Sequence, residues 1–292
     1  MWNWLKYAVV MSAVGLVAAA YAQEKKPMVN YAAQEKLGWR LASQAYTFRE
    51  MSLFETIDTL KSIGVRYVEL FPGQKLAKDM NVNVSESMPQ EAMEALQAKL
   101  KAANVKAVAY GVVGGLGGDE AGTRRIFEFC KKMGIETITA EPPASAFDLL
   151  DKLCAEFKIS VALHNHPKDS PYWNPDTVLE RTKGHSKMIG SCADTGHRAR
   201  SGLVPVDCLK KLEGRIISLH LKDLNRLSGG EQHDVPWGTG ACDFKGMLSE
   251  IKRQGFKGVF SIEYEAGSGE ELKANVGKCV QAFSDAATEL AK

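Results

Sequence analysis

The chain has 292 residues, 45% of them hydrophobic and 25% charged, with a formal net charge of +2. This is the composition of an ordinary globular protein, and so slight a basic excess argues against a nucleic acid or any other polyanion as partner. There are six cysteines but no Cys-x-x-Cys, and Cys130, Cys154, Cys208 and Cys279 fall within helical patterns; most are expected to be small buried hydrophobes, with one surface pair left open.

Residues 1–22 carry Lys6, an apolar run from Ala8 to Ala20 and the small-x-small triplet Ala20-Tyr21-Ala22. Those are the three regions of a secretory signal. The run is shorter than the roughly 20 residues that span a bilayer, which disfavours an uncleaved anchor helix, and no cysteine follows it to carry a lipid. The protein is therefore expected to be exported, periplasmic or secreted, with no stable membrane association. Expressed in a Gram-negative host, the mature chain should begin at Gln23 on N-terminal sequencing; intact Met1 in the cytoplasmic fraction would contradict this. Residues 23–36 read as a polar lead-in, and 37–292 as one domain.

From Leu37 onward, short runs rich in β-branched residues alternate with longer helical patterns. The runs cover 39–44, 65–71, 105–113, 135–141, 159–166, 187–194, 215–223 and 258–265. Helical patterns lie between them at 52–64, 89–104, 121–134, 145–158, 175–184, 204–214 and 243–255, and an eighth closes the chain at 269–292. Ser52 and Glu55 fit a capping box and Gly64 a left-handed C-terminal residue; Asp243 and Gly255 bracket a later helix in the same way. Near-continuous apolar strands require a parallel sheet covered on its faces. Eight strand–helix units predict a single α/β domain, a (β/α)8 TIM barrel.

Such barrels place their chemistry at the C-terminal strand ends. There the sequence sets Glu69, Tyr110, Glu141, His164-Asn165-His166, Asp194 with His197, His220 with Lys222 and Asp223, and Glu263 with Glu265. One strand-end histidine is commonly structural, but successive strands each delivering Asp, Glu or His at one end imply a shared ligand. Glu141, Asp194, His220 and Glu263 make a set of three carboxylates and one imidazole, which suits one divalent ion, Mn²⁺, Mg²⁺ or Co²⁺, with Zn²⁺ allowed.

These residues, with the motifs TAEP, CADTGH, SLHLKD, HDVPWGTGACDF and SIEYE, resemble the xylose isomerase-like TIM-barrel superfamily, in its sugar phosphate isomerase/epimerase group near the sugar 3-epimerases and inosose dehydratases. The resemblance covers about residues 37–292. It implies Glu141, Asp194, His220 and Glu263 as metal ligands, the two glutamates doubling as acid/base residues, and His197 as a substrate contact. Lys222 and His233 stand where epimerases often show Arg, and His164 and His166 are additions at the fifth strand.

The expected activity is metal-dependent proton abstraction next to a carbonyl of a non-phosphorylated sugar or keto-sugar, giving isomerisation or epimerisation. His166 or Lys222 protonating a departing oxygen would give β-elimination instead, a lyase or dehydratase outcome. Tyr46, Phe71, Trp173 and Trp237 are candidates to stack on a sugar, Trp173 foremost because it sits in a polar loop; half of these four are expected only to pack. His164, His197, His233, Tyr46 and Trp173 are thus the substrate-binding candidates. A homo-oligomer is compatible with the sequence. An abasic-site endonuclease and a non-catalytic sugar-binding barrel are the lesser alternatives.

Overall fold

The computed structural model describes residues 29–292; the expected signal segment lies outside the described residues. The fold is a closed barrel of eight parallel strands in sequence order. The strands are β1 (Trp39–Gln44), β2 (Tyr67–Leu70), β3 (Lys106–Val113), β4 (Thr137–Ala140), β5 (Ser160–His164), β6 (Ile189–Asp194), β7 (Ile216–Leu221) and β8 (Gly258–Ile262). Helices between and after them are α1 (Tyr31–Leu37), α2 (Leu53–Ile63), α3 (Gln90–Ala103), α4 (Glu120–Met133), α5 (Phe147–Phe157), α6 (Pro175–Thr182), α7 (Thr195–Arg200), α8 (Pro205–Lys211), α9 (Phe244–Arg253) and α10 (Gly269–Leu290). Among the described residues no helix is long and apolar enough to cross a membrane.

Local chemistry explains the helix boundaries. At α2, Ser52 accepts from the Glu55 backbone while the Glu55 side chain accepts from the Ser52 backbone, and Gly64 ends the helix at φ 82°. Two helices go beyond the sequence reading. Part of the stretch read as a polar lead-in forms α1, which packs against α10 and buries Ala33 and Gln34. The other is α7, begun by Asp194, whose Oδ1 accepts from the His197 N–H at 2.6 Å. Both are short, seven residues for α1 and six for α7, which leaves little helical period to register.

The seam is closed by β1 pairing with β8, Trp39 to Gly258 through Ser43 to Ile262. Trp39, Phe260 and Phe283 of α10 pack there, with Trp39–Phe260 centroids 4.9 Å apart and Phe260–Phe283 5.1 Å. All six cysteines are free and buried, so the surface pair left open by the sequence is absent. Each thiol serves as a small core hydrophobe.

Candidate active site

Every even-numbered strand brings a carboxylate to the C-terminal end of the barrel. Glu69 lies within β2, Asp194 ends β6, and Glu141 and Glu263 are the first residues past β4 and β8. Two of the four odd strands supply imidazoles, His164 from β5 and His220 from β7. This follows from a strand period of two combined with closure, which turns alternate side chains into the barrel.

The deepest layer is His220, fully buried between two carboxylates. Its Nε2 meets Glu69 Oε2 at 2.9 Å and its Nδ1 meets Glu263 Oε2 at 3.1 Å. Ser261 donates to the same Glu69 oxygen at 2.8 Å. A carboxylate fixed on one ring nitrogen sets the orientation of the other, so Glu69 aims Nδ1 at Glu263.

Above it, Asp194 Oδ2 lies 3.8 Å from His164 Nε2 and 3.8 Å from His197 Nε2, too far for hydrogen bonds. Asp194 Oδ2 and His164 Nε2 are both buried with no hydrogen-bond partner. The donor atoms of His164, Asp194, His197 and Glu263 all lie within 4.8 Å of one another. Unsatisfied buried donors and acceptors are rare in folded proteins, and ligand atoms around a tetrahedral ion with bonds of about 2.1 Å sit about 3.4 Å apart. The residues present therefore fit a divalent ion. Burial and the neighbouring Lys222 ammonium push His197 down to about 3, against the pull of Asp194, leaving its ring neutral and able to donate a lone pair.

Nearer solvent, Glu141 Oε1 receives His164 Nδ1 at 3.3 Å and a short contact from His166 Nδ1. Burial alone would raise the Glu141 pKa, yet the His164 and His166 hydrogen bonds bring it down to about 2. Lys222, fully buried, reaches Glu263 Oε2 at 2.9 Å, Glu265 Oε2 at 3.1 Å and Asp194 Oδ2 at 3.2 Å, the last without hydrogen-bond alignment. Burial opposes its charge, and the Asp194, Glu263 and Glu265 carboxylates hold it protonated. Gly196 makes this possible, since a Cβ there would stand 2.6 Å from the Lys222 Cβ.

Glu141, Glu263, Glu265, His166 and His197 line one cleft of about 560 Å³, within the range of small-molecule sites, roughly 300–1,000 Å³. The opposite wall comes from the segments after β1, β2 and β3. It holds Tyr46 and Phe71, edge to face at 5.0 Å, and the glycines at 114 and 115. Tyr46 thus faces the cleft as expected. Trp173 does not line it, its carbonyl accepting from Arg198 and its ring lying beneath Lys168. Trp237 is core, stacked on Phe244 at 5.6 Å. His233 is exposed in the loop before Asp234, where its backbone pairs with Asn225.

Sequence reasoning missed two supports. Arg200 donates to Asp234 at 2.8 Å and to Glu265 at 3.2 Å, bracing the residues behind Lys222. Asp223 is a cradle for the Pro-Trp-Gly-Thr-Gly segment, accepting from the Gly238, Gly240 and Cys242 N–H groups at 2.9, 3.0 and 3.0 Å. A Cβ at Gly240 would fall 2.3 Å from Asp223 Oδ1. An acidic residue beside a glycine-rich loop was the available signal for the second; nothing local marked the first.

The family model described as xylose isomerase-like TIM barrel matches residues 57–278. An inosose dehydratase of Lacticaseibacillus casei is 24% identical over 147 residues, 45% of this chain and 48% of that protein. The chain spans less than half the length of the curated relatives it matches first. A solved structure of an uncharacterised protein from Parabacteroides distasonis is 30% identical with a TM-score of 0.65, covering 82% of this chain and 98% of that one. The IolI protein, solved with a zinc atom, shares the fold at a TM-score of 0.63 and 20% identity, covering 86% of this chain and 98% of that one.

Proposed function

Because the chain belongs to the xylose isomerase-like TIM barrel family, we propose that it is a metal-dependent sugar isomerase or epimerase acting next to a carbonyl of a non-phosphorylated sugar or keto-sugar. One observation carries this reading. Glu141 and Glu263, from strands four apart in the ring of eight, line the same cleft. A sugar lying across the mouth has one carboxylate toward each face. Glu263 takes a proton from carbon on one face, and Glu141 passes to the other a proton drawn from His166 Nδ1 against it, inverting the centre. Return by the same carboxylate to the neighbouring carbon moves the carbonyl instead. Burial notwithstanding, Lys222 and His220 keep Glu263 well below the usual carboxylate range, so both bases are ionised at neutral pH.

A divalent ion among Glu141, Asp194, His220 and Glu263 would stabilise the negative charge that develops on the substrate oxygens. Of these four, Asp194 and Glu263 have donor atoms grouped with those of His164 and His197, while Glu141 groups with His164 and His166; His220 belongs to neither group, its ring nitrogens being taken by Glu69 and Glu263. Oxygen donors favour Mn²⁺, Mg²⁺ or Co²⁺, while the imidazoles bring Zn²⁺ into range. Absence of phosphate from the substrate is supported by the cleft lining, which includes three carboxylates and neither Lys nor Arg. An exported location, expected from residues 1–22, agrees with that choice.

A second reading, β-elimination, is favoured by His166. It is half-exposed on the cleft with its ring against Glu141, a proton donor beside a base, as loss of water or an aglycone requires. The relative named inosose dehydratase supports it.

The test is to incubate aldoses, ketoses and keto-glycosides with metal-loaded protein in D₂O and follow them by NMR. Deuterium at a stereocentre, or at the carbon beside a moved carbonyl, with all carbons retained, identifies an isomerase or epimerase. Loss of water or aglycone identifies a lyase, and no exchange across the panel removes the enzyme reading. In parallel, Asp194→Ala should lose its bound ion on metal analysis; full retention would mean that the ion site lies elsewhere.

A further inference from the structure

The donor atoms suited to an ion are already in contact with a cation of the chain itself. Lys222 Nζ touches Glu263 Oε2 at 2.9 Å, Asp194 Oδ2 at 3.2 Å and His197 Nε2 at 3.3 Å. All three belong to the buried group of His164, Asp194, His197 and Glu263. A fourth contact, Glu265 Oε2 at 3.1 Å, lies outside that group. Glu265 is anchored from behind, its N–H donating to Asp234 at 2.7 Å and its Oε2 accepting from Arg200 at 3.2 Å.

We propose that Lys222 is an internal competitor for the metal: its ammonium holds the Asp194–Glu263 donors when the ion is absent and withdraws to Glu265 when the ion binds. This rests on the reading that the ion binds at Asp194 and Glu263. The physical ground is simple. Two buried carboxylates, Asp194 and Glu263, cannot stay charged without a counter-charge, so the ion-free protein needs the ammonium. A divalent ion bonded to the same oxygens would stand within a few ångströms of a second cation in a poorly screened interior, so the two exclude each other.

The side chain is built for a short excursion rather than a large one. Its stem is clamped at Cβ by Gly196, leaving the far end to swing between neighbouring carboxylates. The device lets the site survive without metal and makes the ion exchangeable, at the cost of affinity. It also sets Glu265, which is no member of the donor group, as the residue that receives the displaced charge.

The experiment is Mn²⁺ binding, read as free Mn²⁺ by electron paramagnetic resonance on the full-length mature protein. Lys222→Met, which keeps the stem and removes the charge, should bind Mn²⁺ about tenfold or more tightly than the parent. Glu265→Gln should bind it several-fold more weakly. In the Lys222→Met background, Glu265→Gln should have no further effect, which marks coupling through the ammonium rather than a general loss of negative charge. Equal or weaker binding by Lys222→Met, or the same Glu265→Gln effect in both backgrounds, overturns the proposal. Should Lys222→Met not fold, Lys222→Arg takes its place, because a planar guanidinium pinned on both oxygens should weaken Mn²⁺ binding; unchanged binding then overturns it. Asp194→Ala measured alongside separates the two failures: undiminished Mn²⁺ affinity there sinks the ion site itself, whereas its loss leaves only the role of Lys222 in question.

Discussion

Glu263→Gln is expected to slow deuterium incorporation into substrate by about 10²–10⁴-fold, the usual cost of removing a general base. The amide keeps the volume of the side chain, and Lys222 retains Asp194 and Glu265 as carboxylate partners, so the fold should persist and circular dichroism should be unchanged. Glu141→Gln divides the possibilities further. If the two carboxylates serve opposite faces, this variant still exchanges the proton that Glu263 removes but no longer interconverts epimers. If a single carboxylate does all the transfer, exchange and product formation fall together. Wild-type exchange in Glu263→Gln would remove this residue from the chemistry.

Asp223→Ala should be the most destabilising single change at the rim. The carboxylate satisfies three backbone N–H groups, of Gly238, Gly240 and Cys242, and an alanine leaves all three without a partner. At about 1–3 kcal/mol for each unsatisfied buried donor, with two of the three only part-buried, the loss should total about 3–5 kcal/mol. For a protein of this size, that is a fall in Tm of about 10 °C, measurable by calorimetry. Asp223→Asn keeps an acceptor oxygen and should recover much of it. A Tm within a degree or two of the parent for Asp223→Ala would mean that the loop holds its shape without the cradle.

Much of the fold was legible because barrel strands and helices announce themselves in different periods. Ser52, Glu55 and Gly64 mark both ends of α2 by local chemistry alone, and the apolar runs located all eight strands to within a few residues. The six-residue α7 escaped because less than two turns cannot display an apolar face; its only local sign was Asp194, which serves the helix with one oxygen and the site with the other.

For the site, Glu141, His166, His197 and Glu263, picked out at the strand ends, share a cleft. Partner choice was not legible. His220 meets Glu69 across 151 residues and Arg200 meets Glu265 across 65, and such pairs are decided by where the ring closes, which no local pattern encodes. Trp173 illustrates the converse. A polar loop suggested a free indole, but Arg198, buried in α7, takes the carbonyl of that residue and Lys168 lies over its ring; the aromatic residues that line the cleft are Tyr46 and Phe71.

That wall has a bearing on how this protein can change. The uncharged side of the cleft is built around the ends of β1, β2 and β3, and the titratable side by the segments following β4, β5, β6 and β8. The uncharged lining thus comes from before residue 116 and the titratable lining from residue 141 onward, with Glu69 reaching across from the first stretch to hold His220. If the proposed activity holds, exchanging the loops after β1 to β3 while keeping Glu69 should change which substrate is admitted and leave the titratable side in place, so substrate preference could change by recombination within the first part of the gene.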